Sequence, residues 1–155
     1  MITRRHFLLL TGAAVAMPVK AQLPANIGEI RKAAFKEAIG KVVGNSQLRQ
    51  GRVKLDIPPL IDNGNAVPVS VEVESPMTEA DHVKTIHLFT ERNPQPYVLS
   101  VQLGPRAGKA RIATRARIGD SGDVTAIAQM SDGSVWSDSV RVIVTLSACL
   151  EEGLI

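Results

Sequence analysis

The chain carries a single cysteine, Cys149, and what one thiol can do is quickly enumerated. With no second cysteine it cannot close an internal disulfide, so it is a packed thiol, an intermolecular link or a reactive group. His82 and His87 are the next candidates for chemistry. Zinc or copper wants three or four converging ligands, whereas two histidines five apart on an extended run emerge on opposite faces. They are expected to be satisfied histidines of the sheet or surface, not metal ligands. Glu72 and Glu74 share one strand face and read as a solvated face, not an acid/base pair. The glycines between Gly119 and Gly133 belong to hairpins, and no phosphate loop or dinucleotide fingerprint follows a strand. A self-sufficient enzyme is therefore not expected, and neither is a cofactor.

The elements that position these residues follow from hydrophobic period. Ile27, Ile30, Ala34, Ala38 and Val42 recur at helical spacing, with Asn26 and Glu29 placed to form a capping box and Gly44 to stop the helix. After Arg52 the period drops to two: Val67, Val69, Val71 and Val73 alternate with Pro68, Ser70, Glu72 and Glu74. Strands are expected near Val53–Ile57, Val67–Glu74, Lys84–Thr90, Val98–Leu103, Lys109–Arg117, Val124–Met130 and Val140–Leu146. Turn chemistry separates them at Asp62–Asn65, Asn93–Pro96, Gly119–Asp123 and Ser131–Ser134. About seven short strands in about a hundred residues predict an all-β, immunoglobulin-like sandwich behind one N-terminal amphipathic helix. Trp136 and Phe89 are the expected bulky fillers of its aliphatic core. Continuing the parity of the last strand, Val140, Val142, Val144, Leu146 and Ala148 form its apolar side. Cys149 then falls with Thr145 and Ser147 on the polar side, which predicts an exposed thiol.

Thr3-Arg4-Arg5-His6-Phe7-Leu8 opens an apolar run to Met17, and Val19-Lys20-Ala21 has the small residues that signal peptidase favours. This predicts a twin-arginine export signal over residues 1–21, cleaved after Ala21, and a periplasmic protein. The run is too short for the roughly 20 residues that cross a bilayer, so no membrane association is expected after cleavage. Of 18 Lys and Arg against 15 Asp and Glu, Arg4, Arg5 and Lys20 lie in that leader, leaving fifteen of each sign. A neutral chain with only Phe35, Phe89, Tyr97 and Trp136 as aromatics lacks the field and stacking platform for nucleic acid. The remainder divides into a helix segment (22–52), the sandwich (53–148) and a C-terminal tail (149–155).

Several dispersed blocks carry a family likeness: Val53-Lys-Leu-Asp-Ile-Pro-Pro-Leu-Ile-Asp-Asn-Gly-Asn-Ala-Val-Pro-Val, Glu74-Ser-Pro-Met-Thr, Val83-Lys-Thr-Ile-His-Leu-Phe with Asn93-Pro94, Thr114-Arg-Ala-Arg, Ala128-Gln-Met-Ser-Asp-Gly, and Val144-Thr-Leu before Cys149. In this order they resemble the SoxY family, the sulfur-carrier subunits of periplasmic thiosulfate oxidation. The resemblance implies a carrier, not a catalyst. Cys149 matches the family's conjugation cysteine, which takes a sulfur oxyanion substrate as a covalent adduct and carries it between sulfur-oxidising enzymes. It further implies pairing with an immunoglobulin-like SoxZ subunit. The family's arm is Gly-Gly-Cys-Gly-Gly, and Ser147-Ala148-Cys149-Leu150-Glu151-Glu152 stands here instead. Losing the glycines narrows the arm's conformations, and the two carboxylates oppose a thiolate beside them. The alternative is a SoxY-like scaffold subunit that keeps the pairing surface without carrying sulfur.

Overall fold

Residues 26–147 are described by the computed structural model. The alternation of Val67–Val73 becomes a strand with its four valines buried, and the other alternating runs pair around it. In chain order the elements are α1 (Ile27–Val43), β1 (Leu48–Gln50), β2 (Val53–Asp56), β3 (Leu60–Ile61), β4 (Val67–Val73), β5 (Val83–Thr90), β6 (Tyr97–Gln102), β7 (Arg111–Ala116), β8 (Gly122–Met130) and β9 (Val135–Val144). They form an immunoglobulin-like sandwich. One sheet runs β1-β9-β8-β5-β6 with β3 also on β9, and the other runs β2-β4-β7.

All seven expected strands are present, and two short ones join them. Both β1 and β3 pair parallel with β9, at Val135–Ser137 and at Ile143–Val144 respectively. The larger sheet therefore begins at Leu48, ahead of Arg52 where the alternation becomes visible. The last strand starts at Val135, because the turn Ser131–Ser134 folds it directly onto β8. Gly133 holds φ +82° in that turn, a conformation glycine adopts without strain.

Between the sheets the core is aliphatic, and Ile86, Leu88, Val71 and Val83 are fully buried in it. Phe89 is also fully buried, but on the opposite face of β5. There it joins Ile127 and Val135 beneath Phe35, Ala38, Ile39, Val42 and Val43 of α1. Trp136 only flanks the main core, half-buried, with the guanidinium carbons of Arg49 and Arg52 at 5.7 and 5.4 Å from its ring centre. So β5 loses its alternation because sheet covers one face and helix the other, leaving positions 86–90 all buried.

The helix departs from expectation in two respects. Asn26 makes no side-chain cap, and its backbone carbonyl accepts from Glu29 N and Ile30 N instead, so the capping box does not form. Ile30 is exposed, because the face that docks is offset toward Phe35 and Ile39. Gly44 ends the helix as expected, its N–H donating to Gly40 O at 2.8 Å. Among the described residues no helix is long and apolar enough to cross a membrane.

Candidate functional site at the C-terminal end of the last strand

Cys149 lies outside the described residues, as do the Arg4-Arg5 leader and the carboxylates Glu151 and Glu152. What is described is the platform from which Cys149 departs. Val142 and Val144 point inward as the parity predicts, and Ile143 points out. The alternation stops there. Thr145 N donates to Ile61 O at 3.0 Å, and the Leu146 carbonyl accepts from Gly64 N at 2.9 Å. Leu146 is exposed instead of turning inward, so strand parity cannot be carried past Val144 to Cys149.

Two loops hold this end. Ser121 Oγ accepts from Val144 N at 2.9 Å, and Thr145 Oγ1 donates to Asp62 O at 2.9 Å. Gly64 is buried, and its carbonyl accepts from Ile118 N at 2.8 Å, linking the loop before β4 to the one before β8. The backbone is thus pinned through Leu146, three residues before Cys149.

The remaining candidate residues do not converge. His82 precedes β5, and its Nδ1 lies 3.0 Å from Thr78 O. His87 sits on the outer face of β5. Among the described residues no three His, Cys, Asp or Glu side chains stand close enough to hold a metal ion. Glu72 faces solvent on β4 between its register partners Lys54 and Arg111, a charged outer face as the sequence suggested.

A polar relay beneath the helix was not visible in the sequence. Gln129 Nε2 donates to Val42 O at 2.9 Å, so its Oε1 faces His87 Nε2 at 3.3 Å. On the other ring nitrogen, Nδ1 of His87 lies 2.8 Å from Tyr97 Oη. Burial pushes the His87 pKa below its usual value, opposed by the hydrogen bond to Gln129. Its members come from β5, β6 and β8, and no local spacing announces them. The nearest signal is a histidine inside an otherwise apolar run, Ile86-His87-Leu88-Phe89.

Among curated proteins, none matches this chain at significant similarity. Of solved structures, the sulfur carrier protein SoxY from Chlorobium limicola f thiosulfatophilum is similar at TM-score 0.61 and 24% identity, over 74% of this chain and 98% of that one. The superoxide reductase (neelaredoxin) of Ignicoccus hospitalis shares the fold at TM-score 0.54 and 19% identity, over 61% of this chain and 80% of that one. A putative superoxide reductase from Thermotoga maritima does so at 0.53 and 17%, over 64% and 93%. Likeness at these identities establishes the sandwich and nothing finer. The family model described as "Sulfur oxidation protein SoxY" matches residues 39–149, from the second half of α1 through both sheets to Cys149 itself. With most of the chain inside that match, this protein belongs to the SoxY family of sulfur oxidation proteins.

Proposed function

We propose that this chain is the covalent sulfur carrier of a periplasmic thiosulfate or related sulfur oxidation system, with Cys149 as the attachment point. The observation that carries this reading is the family match running to Cys149, the sole cysteine of the chain. The platform supports it. A backbone pinned at Leu146 O and followed by a thiol three residues later limits the Cα of Cys149 to at most about 11 Å from that of Leu146. From there it is presented to partner enzymes and not to a pocket of its own.

A thiolate is a soft nucleophile suited to sulfur substrates. Joining its sulfur to the outer sulfur of thiosulfate forms an S–S bond and releases two electrons, which a partner redox enzyme takes up together with the thiol proton. The carrier then needs no cofactor of its own. Export through the twin-arginine leader and pairing with a SoxZ-like subunit complete the proposal. A second reading, a scaffold that pairs but does not carry, draws on one feature: no glycine stands within three residues on either side of Cys149.

One experiment separates them. Intact mass of the protein from the periplasm of cells grown on thiosulfate should show a chain beginning at Gln22 and carrying sulfur adducts, which Cys149→Ser abolishes. A free thiol under those conditions overturns carriage and leaves the scaffold. An intact leader overturns export.

A further inference from the structure

The two flanks of the sandwich are finished differently. On one, the Leu55 N–H of β2 reaches Asp138 of β9 and joins the sheets, which leaves β6 and β7 as the outer strands of the other. That second flank is open. Ile112 and Thr114 of β7 sit opposite the buried Val71 and Val69 of β4 and face the core, yet Ile112 is only half-buried and Thr114 is exposed. On the β6 side, Leu99 and Leu103 pack against the same core and are likewise only part-covered. The backbone of β7 is open too. Val73 N donates to Ala110 O at 2.9 Å, so in this antiparallel pair Ala110, Ile112, Thr114 and Ala116 point their N–H and C=O groups at β4. Arg111, Ala113 and Arg115 point theirs outward, where no strand meets them among the described residues.

The same strand carries unbalanced charge. Residues 105–118 hold Arg106, Lys109, Arg111, Arg115 and Arg117 and no carboxylate, and all five cations are exposed. Among the described residues none of the five makes an ion pair. Arg111 Nε lies 3.5 Å from Ser70 Oγ, and Arg115 donates to Ala66 O at 3.2 Å. Arg111 and Arg115 share the outer face of the smaller sheet with their register partners Glu72 and Pro68. Glu72 is the carboxylate across from Arg111, and Lys54 stands on its other side.

We propose that the free edge of β7 docks an extended, acidic segment of a partner protein, which joins the three-stranded sheet as one further strand. Alternation sets the chemistry of that segment. Its side chains opposite Arg111, Ala113 and Arg115 lie on the outer face, so carboxylates there meet the arginines. The intervening side chains point inward onto Ile112 and Thr114, where aliphatic groups complete the flank. A segment of alternating acidic and aliphatic residues meets both requirements. Charge also decides what does not dock. A second copy paired through β7 and centred on Ala113 would set arginine against arginine, so the edge that admits an acidic strand rejects its own kind. Nucleic acid would satisfy the charge but offers no peptide edge to match the outward N–H and C=O groups.

The probe is the synthetic peptide Ser-Val-Glu-Val-Glu-Val-Glu-Ser, blocked at both ends and added to the full mature chain while amide exchange is followed residue by residue. At millimolar peptide the outward amides of Arg111, Ala113 and Arg115 should exchange about fivefold more slowly or better, a protection that charge contact alone does not give. The peptide with glutamine for glutamate lacks the charge, and the one with its central amides N-methylated lacks the donors; neither should protect. Arg111→Glu with Arg115→Glu should abolish protection by the acidic peptide and transfer it to Ser-Val-Lys-Val-Lys-Val-Lys-Ser. Ala113→Pro removes an outward N–H that β4 does not use, so β7 stays in its sheet while protection at Arg111 and Arg115 is lost. All three positions are exposed, and either variant decides without the other. No protection in the wild type, equal protection by the glutamine peptide, or slowed exchange elsewhere than β7 overturns the proposal. Protection that appears without peptide and rises with protein concentration assigns the edge to a second copy, and equal protection by a short single-stranded DNA assigns it to nucleic acid; either result overturns it too. The docking goes beyond the carrier reading and involves no sulfur chemistry, so this exchange experiment and the native adduct mass fail independently.

Discussion

At His87 the proton positions are set by what lies on either side. The Gln129 amide donates to Val42 O, so its oxygen accepts from His87 Nε2–H, and Nδ1 is left to accept from the Tyr97 hydroxyl. This is the neutral imidazole. Burial lowers the His87 pKa below the usual imidazole value, so in the acidic range the unfolded chain binds this proton more readily than the folded one. Stability is then fully present above the unfolded value. It declines as pH falls below that value and levels off once the folded-state histidine protonates as well. Urea midpoints between pH 8 and 5 should fall for the wild type by more than for His87→Phe, which has nothing to titrate there. Equal pH slopes would show that the relay does not feel the proton.

On the scale of an element, α1 is the weakly held piece. None of its residues is fully buried, and Phe35, Ile39 and Val42 are half-covered by the sheet. Phe35→Ala should cost about 2 kcal/mol, less than a fully buried phenylalanine. It should act locally, speeding amide exchange in α1 while β5 and β8 stay protected. Uniform acceleration across the sandwich would instead make the helix part of the global folding unit. Physical reasons separate the elements that could be read in the sequence from those that could not. Val67–Val73 has one face on the core and one in water, so its alternation is explicit. By contrast, β5 is covered on both faces, and its Ile86-His87-Leu88-Phe89 run gives no hint that His87 and Phe89 face a helix. The two- and three-residue strands β3 and β1 have no room for a period, and only their distant partner β9 makes them strands. Of the candidate site, the sole cysteine was plain from residue type. The pinning of Leu146 by Gly64 was not, since it joins residues 82 positions apart.

Across the whole molecule, the chain from β1 to β3 crosses from the larger sheet to the smaller and back, and closes one side of the sandwich. Strand β2 has β4 on one side only, and the N–H of Leu55 turns away from it toward β9. There Asp138 Oδ2 accepts it at 2.8 Å, while Oδ1 accepts from Ser139 N at 2.8 Å. A side chain of one sheet thus satisfies a backbone group of the other, directly after the stretch of β9 that holds β1 and ahead of the one that holds β3. Asp138→Ala leaves the Leu55 N–H without that acceptor in a partly buried place, which should cost about 1–3 kcal/mol. Asp138→Asn keeps an acceptor oxygen and should cost less than half as much. The loss should travel, because β2 leads through Pro58 and Pro59 directly into β3, whose Leu60 and Ile61 border the point where the chain departs toward Cys149. In Asp138→Ala the Leu55 amide should exchange faster and Cys149 should alkylate faster, and in Asp138→Asn neither rate should move by more than about twofold. If the Leu55 amide exchanges faster while Cys149 reactivity stays at the wild-type level, the sandwich side and the carrier end are energetically separate, and β3 alone sets the platform.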